Sequence, residues 1–119
     1  MFFGINNMKL LDWFDTKAID EFARSIAAEL TKRVPPSSLD SGKKRTVGQL
    51  KSSHHAIFSR AENFARTTEL NVYKRARLGN SFRWALKEAG YPRDLVEAWT
   101  YELATMITIE STARRRAGR

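Results

Sequence analysis

Apolar residues recur every three or four positions along most of this chain, the spacing that keeps one side of an α-helix dry. The first such stretch follows Asp15 and Thr16, either of which can accept a hydrogen bond from a free amide at a helix start. Asp20 and Glu21 read as first-turn charges, favourable at the positive end of the helix dipole. At roughly 100° per residue, Ile19, Phe22, Ala23, Ile26, Leu30 and Val34 share a stripe, while Lys17, Asp20, Glu21, Arg24 and Lys32 fall elsewhere. The helix must stop near Val34, because Pro35-Pro36 removes two amide donors and restricts the residue ahead of them.

Residues 35–45 have loop composition, with Leu39 their one apolar side chain after the prolines, and predict a mobile connection made positive by Lys43-Lys44-Arg45. Thr46-Val47-Gly48-Gln49 fits a capping box, in which Thr46 bonds forward and Gln49 reaches back, and opens a helix over about 46–68. Its stripe is Val47, Leu50, Ile57, Phe58, Ala61, Phe64 and Ala65. His54 falls inside that stripe, as a partly buried histidine would, and His55 points away.

The third helix, about Asn71–Ala89, is apolar on two sides. Leu78, Phe82, Ala85, Leu86 and Ala89 form one line, and Tyr73 and Trp84, with Tyr91 as a further candidate, form another nearly opposite. Such a helix is either central in its bundle or carries a binding face. Gly79-Asn80 weakens its middle and is a possible restart point. Gly90-Tyr91-Pro92 then makes a tight turn, since glycine suits the left-handed residue past a helix end and proline the first turn of the next helix. The helix that follows, about Pro92–Glu110, must lie antiparallel to the third. Leu95, Val96, Trp99, Leu103, Met106 and Ile107 face inward, with Tyr101 and Ile109 outside.

The pattern predicts an all-α protein, a small four-helix bundle forming a single domain over 1–119, with its ordered core at about 8–110. A short apolar segment, Met8–Phe14, is expected to lie as a lid on the core, and the basic tail 112–119 to fray. Absence of cysteine excludes disulfides and thiolate metal sites. No apolar run approaches the roughly 20 residues of a membrane span. The opening residues lack the basic start of a signal peptide, so a cytoplasmic location is expected.

Catalytic signals are scarce. There is no glycine-rich phosphate loop and no nucleophile turn. Adjacent histidines diverge by roughly 100° on a helix and cannot share a metal. No spacing pairs two carboxylates for acid–base work, with Glu97 and Glu102 reading as solvated side chains. The expectation is a protein without enzymatic activity, cofactor or metal.

Charge adds the functional clue. Half of the net charge of +8 comes from Arg114, Arg115, Arg116 and Arg119. Lys74, Arg75, Arg77, Arg83, Lys87 and Arg93 then stand against one acid, Glu88, with Tyr73 and Trp84 interleaved. Cations that track phosphates beside rings that stack on bases are what single-stranded RNA requires. The leading expectation is therefore binding of RNA or a ribonucleoprotein surface through Tyr73, Lys74, Arg77, Arg83, Trp84 and Lys87, with Arg114, Arg115 and Arg116. The bland counterpart is a solvated face whose rings pack on neighbours, with Arg75 near the apolar stripe paired to Glu29. A rival expectation is a protein-interaction module or homo-oligomer using surplus aromatics, Trp13, Phe14 and Tyr101 among them. A third is peripheral membrane association through Met1–Phe14.

Overall fold

Each apolar stripe becomes one side of a helix. The computed structural model describes residues 15–41 and 44–117, and the side chains of Asp40, Ser41, Lys44, Arg45, Thr46, Arg115 and Ala117 are outside that description. The Met8–Phe14 lid and Arg119 also lie outside the described residues. Helices α1 (Lys17–Arg33), α2 (Lys44–Thr67), α3 (Val72–Ala89) and α4 (Arg93–Ala117) form the bundle, and no strand occurs among the described residues.

Contacts between helices close a ring in the order α1, α2, α4, α3. Phe22 stacks on Phe64, and Arg60 pairs with Glu29, so α1 and α2 are antiparallel. Arg83 reaches Glu97 and Gly79 faces Ala104, so α3 and α4 are antiparallel as the short turn requires. The other two seams are parallel. Asp20 meets Arg77 near the starts of α1 and α3, and the Val34 carbonyl meets Tyr91 beyond their ends. His54 and Glu102, then Arg66 and Glu110, set α2 and α4 in the same direction. Consecutive helices α2 and α3 thus face each other across the bundle axis, and the link between them buries Leu70.

The core is built from Ile26, Leu30, Ile57, Leu78, Phe82, Leu86, Leu103 and Ile107, all fully buried. Each such side chain contributes about 1.5–3 kcal/mol on leaving water. Phe22, Phe58, Phe64, Leu95 and Met106 are half-buried at its margins.

The ends of α3 are fixed by local chemistry. Asn71 caps it by accepting from the Lys74 amide at 2.8 Å. At its other end Gly90 sits at φ 98°, its amide bonded to the Lys87 carbonyl at 3.0 Å and the Tyr91 amide to Leu86 at 3.2 Å. That pair of bonds satisfies carbonyls the helix would leave bare. Gly79 does not interrupt α3; it is buried, and a Cβ there would meet the Ala104 Cβ at 3.9 Å.

Five features differ from the sequence expectation. Tyr91 is buried, not on the outer line, because the Gly90 turn swings it inward to donate its hydroxyl to the Val34 carbonyl at 2.5 Å. Val47 is exposed, in an early turn of α2 where Gly48 and Gln49 are exposed as well. Helix α2 starts at Lys44, which puts Thr46 inside it and not at its cap. Pro36–Ser41 is a 3-10 turn with Leu39 packed on the core, so the connection is partly regular. And α4 runs on to Ala117, seven residues past the expected end at Glu110.

Candidate functional site

The outward side of α3 carries the residues that composition singled out. Tyr73 and Trp84 are eleven positions apart, about three turns, so they share one line roughly 16 Å apart. They are 39% and 53% exposed. Arg77 and Asn80 lie between them, and Lys87 stands one turn beyond with its Nζ 5.0 Å from the Trp84 ring centroid. Beside this line, a cleft of about 480 Å³ opens between α1 and α3, lined on α1 by Asp20 and Arg24 and on α3 by Arg77, Ser81, Trp84 and the acid Glu88.

Asp20 organises the cleft. It accepts from Arg77 Nε at 2.9 Å and Nη2 at 3.1 Å, from the Ser81 hydroxyl at 2.7 Å and from the Thr16 hydroxyl at 3.4 Å. The Arg77 hydrogen bonds, opposed by partial burial and aided by Ser81, hold its carboxyl below the usual range. Arg77 is raised in turn, chiefly by the same hydrogen bonds. This fork fixes two planar groups at once, the strongest geometry an ion pair adopts. Arg77 is therefore engaged in the α1–α3 seam before any ligand arrives. Arg83 is engaged likewise on the opposite flank, donating to Glu97 of α4 at 2.9 Å.

Lys74, Lys87 and Arg24 differ. Among the described residues, none of the three has a carboxylate within ion-pair distance. Arg75 does not pair with Glu29, which is held instead by Arg33 at 3.0 Å and by Arg60. At the C-terminal end, Arg114 donates from Nε to the Arg66 carbonyl at 3.2 Å. Arg116 is exposed, and two positions on it points about 200° away from Arg114, so these two do not share one face. Arg115 lies outside the described side chains.

The solvated acids of the sequence reading also have partners. Glu97 takes Arg83, and Glu102 meets His54 Nε2. His54 stacks on Phe58 with centroids 4.2 Å apart and meets the Trp99 ring edge-on at 5.1 Å, a histidine used within the bundle. No three His, Asp or Glu side chains gather as a metal site needs, and no helix is long and apolar enough to cross a membrane, among the described residues.

Sequence reasoning put Tyr73 and Trp84 on one outward line with Arg77, Asn80, Arg83 and Lys87 around it; both rings are exposed on α3, whereas Tyr91, the further candidate, is buried. That reasoning missed Asp20 as an organising group and Arg24 as a wall of the cleft. The partner of Asp20 is 57 positions away, and Arg24 meets the cleft only across the α1–α3 seam, both beyond any helical period. Compared with models of known families, with curated proteins and with solved structures, the chain matches none.

Proposed function

We propose that this protein is a non-enzymatic binding module that holds single-stranded RNA along the outward side of α3. What carries the reading is the exposure of Tyr73 and Trp84 on one line, with Lys74, Lys87 and Arg24 beside them and unspent on carboxylates among the described residues. The rings serve as stacking platforms for unpaired bases, and the cations follow the phosphates. Arg77 and Arg83 hold the platform by tying α3 to α1 and α4, so their role is positional.

The test is titration of a labelled oligouridylate followed by fluorescence anisotropy at several salt concentrations. Trp84→Ala and Tyr73→Ala are each expected to weaken binding by about 1–3 kcal/mol. Replacing Lys74, Lys87 and Arg24 together should lower the logarithmic salt slope by about 2–3. If the Tyr73→Ala/Trp84→Ala double variant binds as tightly as the parent, the reading is wrong.

A further inference from the structure

Helix α4 turns a different kind of surface outward. Ala98, Tyr101, Thr105, Thr108 and Thr112 follow one another at spacings of three and four, the repeat of a coiled-coil seam, with Ile109 alongside. Tyr101 is 74% exposed and Ile109 61%, and Tyr101 is the most exposed large hydrophobic side chain among the described residues. Two of its three threonines have their hydroxyls bonded within the helix. Thr108 and Thr112 donate their hydroxyls back to the carbonyls of Ala104 and Thr108, at 2.8 and 2.9 Å. Flanking acids are already paired, Glu97 with Arg83 and Glu102 with His54.

The two ends of the line carry opposite charges. Asp94 stands at its start and Arg116 at its finish, both exposed and neither in an ion pair among the described residues. A twofold axis through Thr105 pairs Asp94 with Arg116 of a second copy, Ala98 with Thr112 and Tyr101 with Ile109. It also opposes the helix dipoles, and small residues let two backbones approach to the short end of the usual 8–10 Å range. A parallel arrangement would set Asp94 on Asp94 and Arg116 on Arg116. Between Asp94 and Arg116 the line itself, Ala98, Tyr101, Thr105, Thr108, Ile109 and Thr112, offers a polyanion no cation. The occupant that satisfies every position is this same surface, rotated.

We infer that α4 is the contact of an antiparallel homodimer centred on Thr105. This surface is separate from the α3 line, so the inference stands or falls without the RNA reading. A single helix pair places the dimer among small, reversible interfaces. Sedimentation equilibrium of the full chain should show dimer forming across the micromolar to millimolar range. Tyr101→Asp and Ile109→Asp should each weaken association at least about tenfold while helicity and melting stay those of the parent. Asp94→Arg and Arg116→Asp should each weaken it about tenfold, because each reversal acts at two symmetry-related pairs. The two reversals together should bring association back to within about threefold of the parent. A parent that stays monomeric at about 1 mM overturns the proposal. So does a Tyr101→Asp variant that associates like the parent, or a double reversal no better than either single one.

Discussion

Helices α3 and α4 are neighbours joined by a tight turn, and each turns one side to water, but the two sides are made differently. On α3, two aromatic rings alternate with cations; Asp20 and Glu97 on the flanks take Arg77 and Arg83, Glu88 stays in the cleft beside Trp84, and Lys74 and Lys87 have no ion-pair partner among the described residues. On α4, the middle of the line is uncharged and its ends oppose each other in sign. Exposure alone does not separate the two, since Trp84 and Tyr101 are both mostly in water. The separation lies in which charges each bundle seam has already consumed. One face is left with surplus positive charge and the other with a pattern that complements itself.

The sharpest probe of that contrast is the boundary between the inside and the outside of α3. Phe82 is fully buried, and Phe82→Ala should cost about 3–5 kcal/mol in urea unfolding. Trp84→Ala, two positions on, should change stability by less than about 0.5 kcal/mol. A loss above about 1 kcal/mol at Trp84 would make its ring structural and break the comparison.

Next come the two flanks of α3. Asp20→Ala leaves the Arg77 fork and the Ser81 hydroxyl without their acceptor, and should cost about 1–2 kcal/mol, reduced from a buried pair because Arg77 is 44% exposed. Glu97→Ala should cost about 0.5 kcal/mol, as exposed pairs do. The two also differ with pH. Asp20 is held below its ordinary value of 3.8 by Arg77 first, so its stabilisation is complete above that value and is lost as pH falls through the lowered one. Asp20→Asn should therefore flatten the acid limb of the stability profile, measured by denaturant midpoint from neutral pH downward.

The turn between the two helices offers a smaller effect. Tyr91→Phe leaves the Val34 carbonyl without its donor and should cost about 1 kcal/mol. Burial raises the Tyr91 phenol above its ordinary value of 10.0. The folded state thus retains the proton more tightly, and the associated stability is whole below pH 10 and lost as pH climbs through the raised value. The phenylalanine variant should lack that alkaline loss in thermal melts.

Smallest is the seam between α3 and α4. Gly79→Ala adds a Cβ that meets Ala104 at ordinary contact distance, in a helix interior where glycine is costly. It should raise stability by up to about 1 kcal/mol and leave the proposed RNA binding and the proposed dimerisation unchanged, which would show that neither outward face depends on slack between the helices.

Much of the fold was legible because helical burial is a local property. Ile26, Leu30, Phe82, Leu103 and Ile107 sit inside because each repeats at the helix period with its neighbours. Reading failed at two positions, for different reasons. Tyr91 follows a left-handed glycine that resets its direction, and Val47 keeps the right phase on an early turn of α2 that is exposed at Gly48 and Gln49 as well. The candidate site was legible along α3, where Tyr73 and Trp84 obey the same period, but not across it. Which acid neutralises which arginine depends on the order of helices around the ring, and no spacing encodes that Asp20 takes Arg77 while Glu97 takes Arg83.

The parallel seams set the order in which the molecule can assemble. As the chain leaves the ribosome, α1 can close on α2 as soon as both have emerged, but the ties of Asp20 to Arg77 and of Val34 to Tyr91 wait on partners 57 residues downstream. Loop closure over that length also costs more entropy than closing the α3–α4 hairpin, whose ends are a few residues apart. For that interval the half of α1 meant for α3 stands uncovered. A nascent chain stalled before Gly90 is therefore expected to be the species most in need of a chaperone.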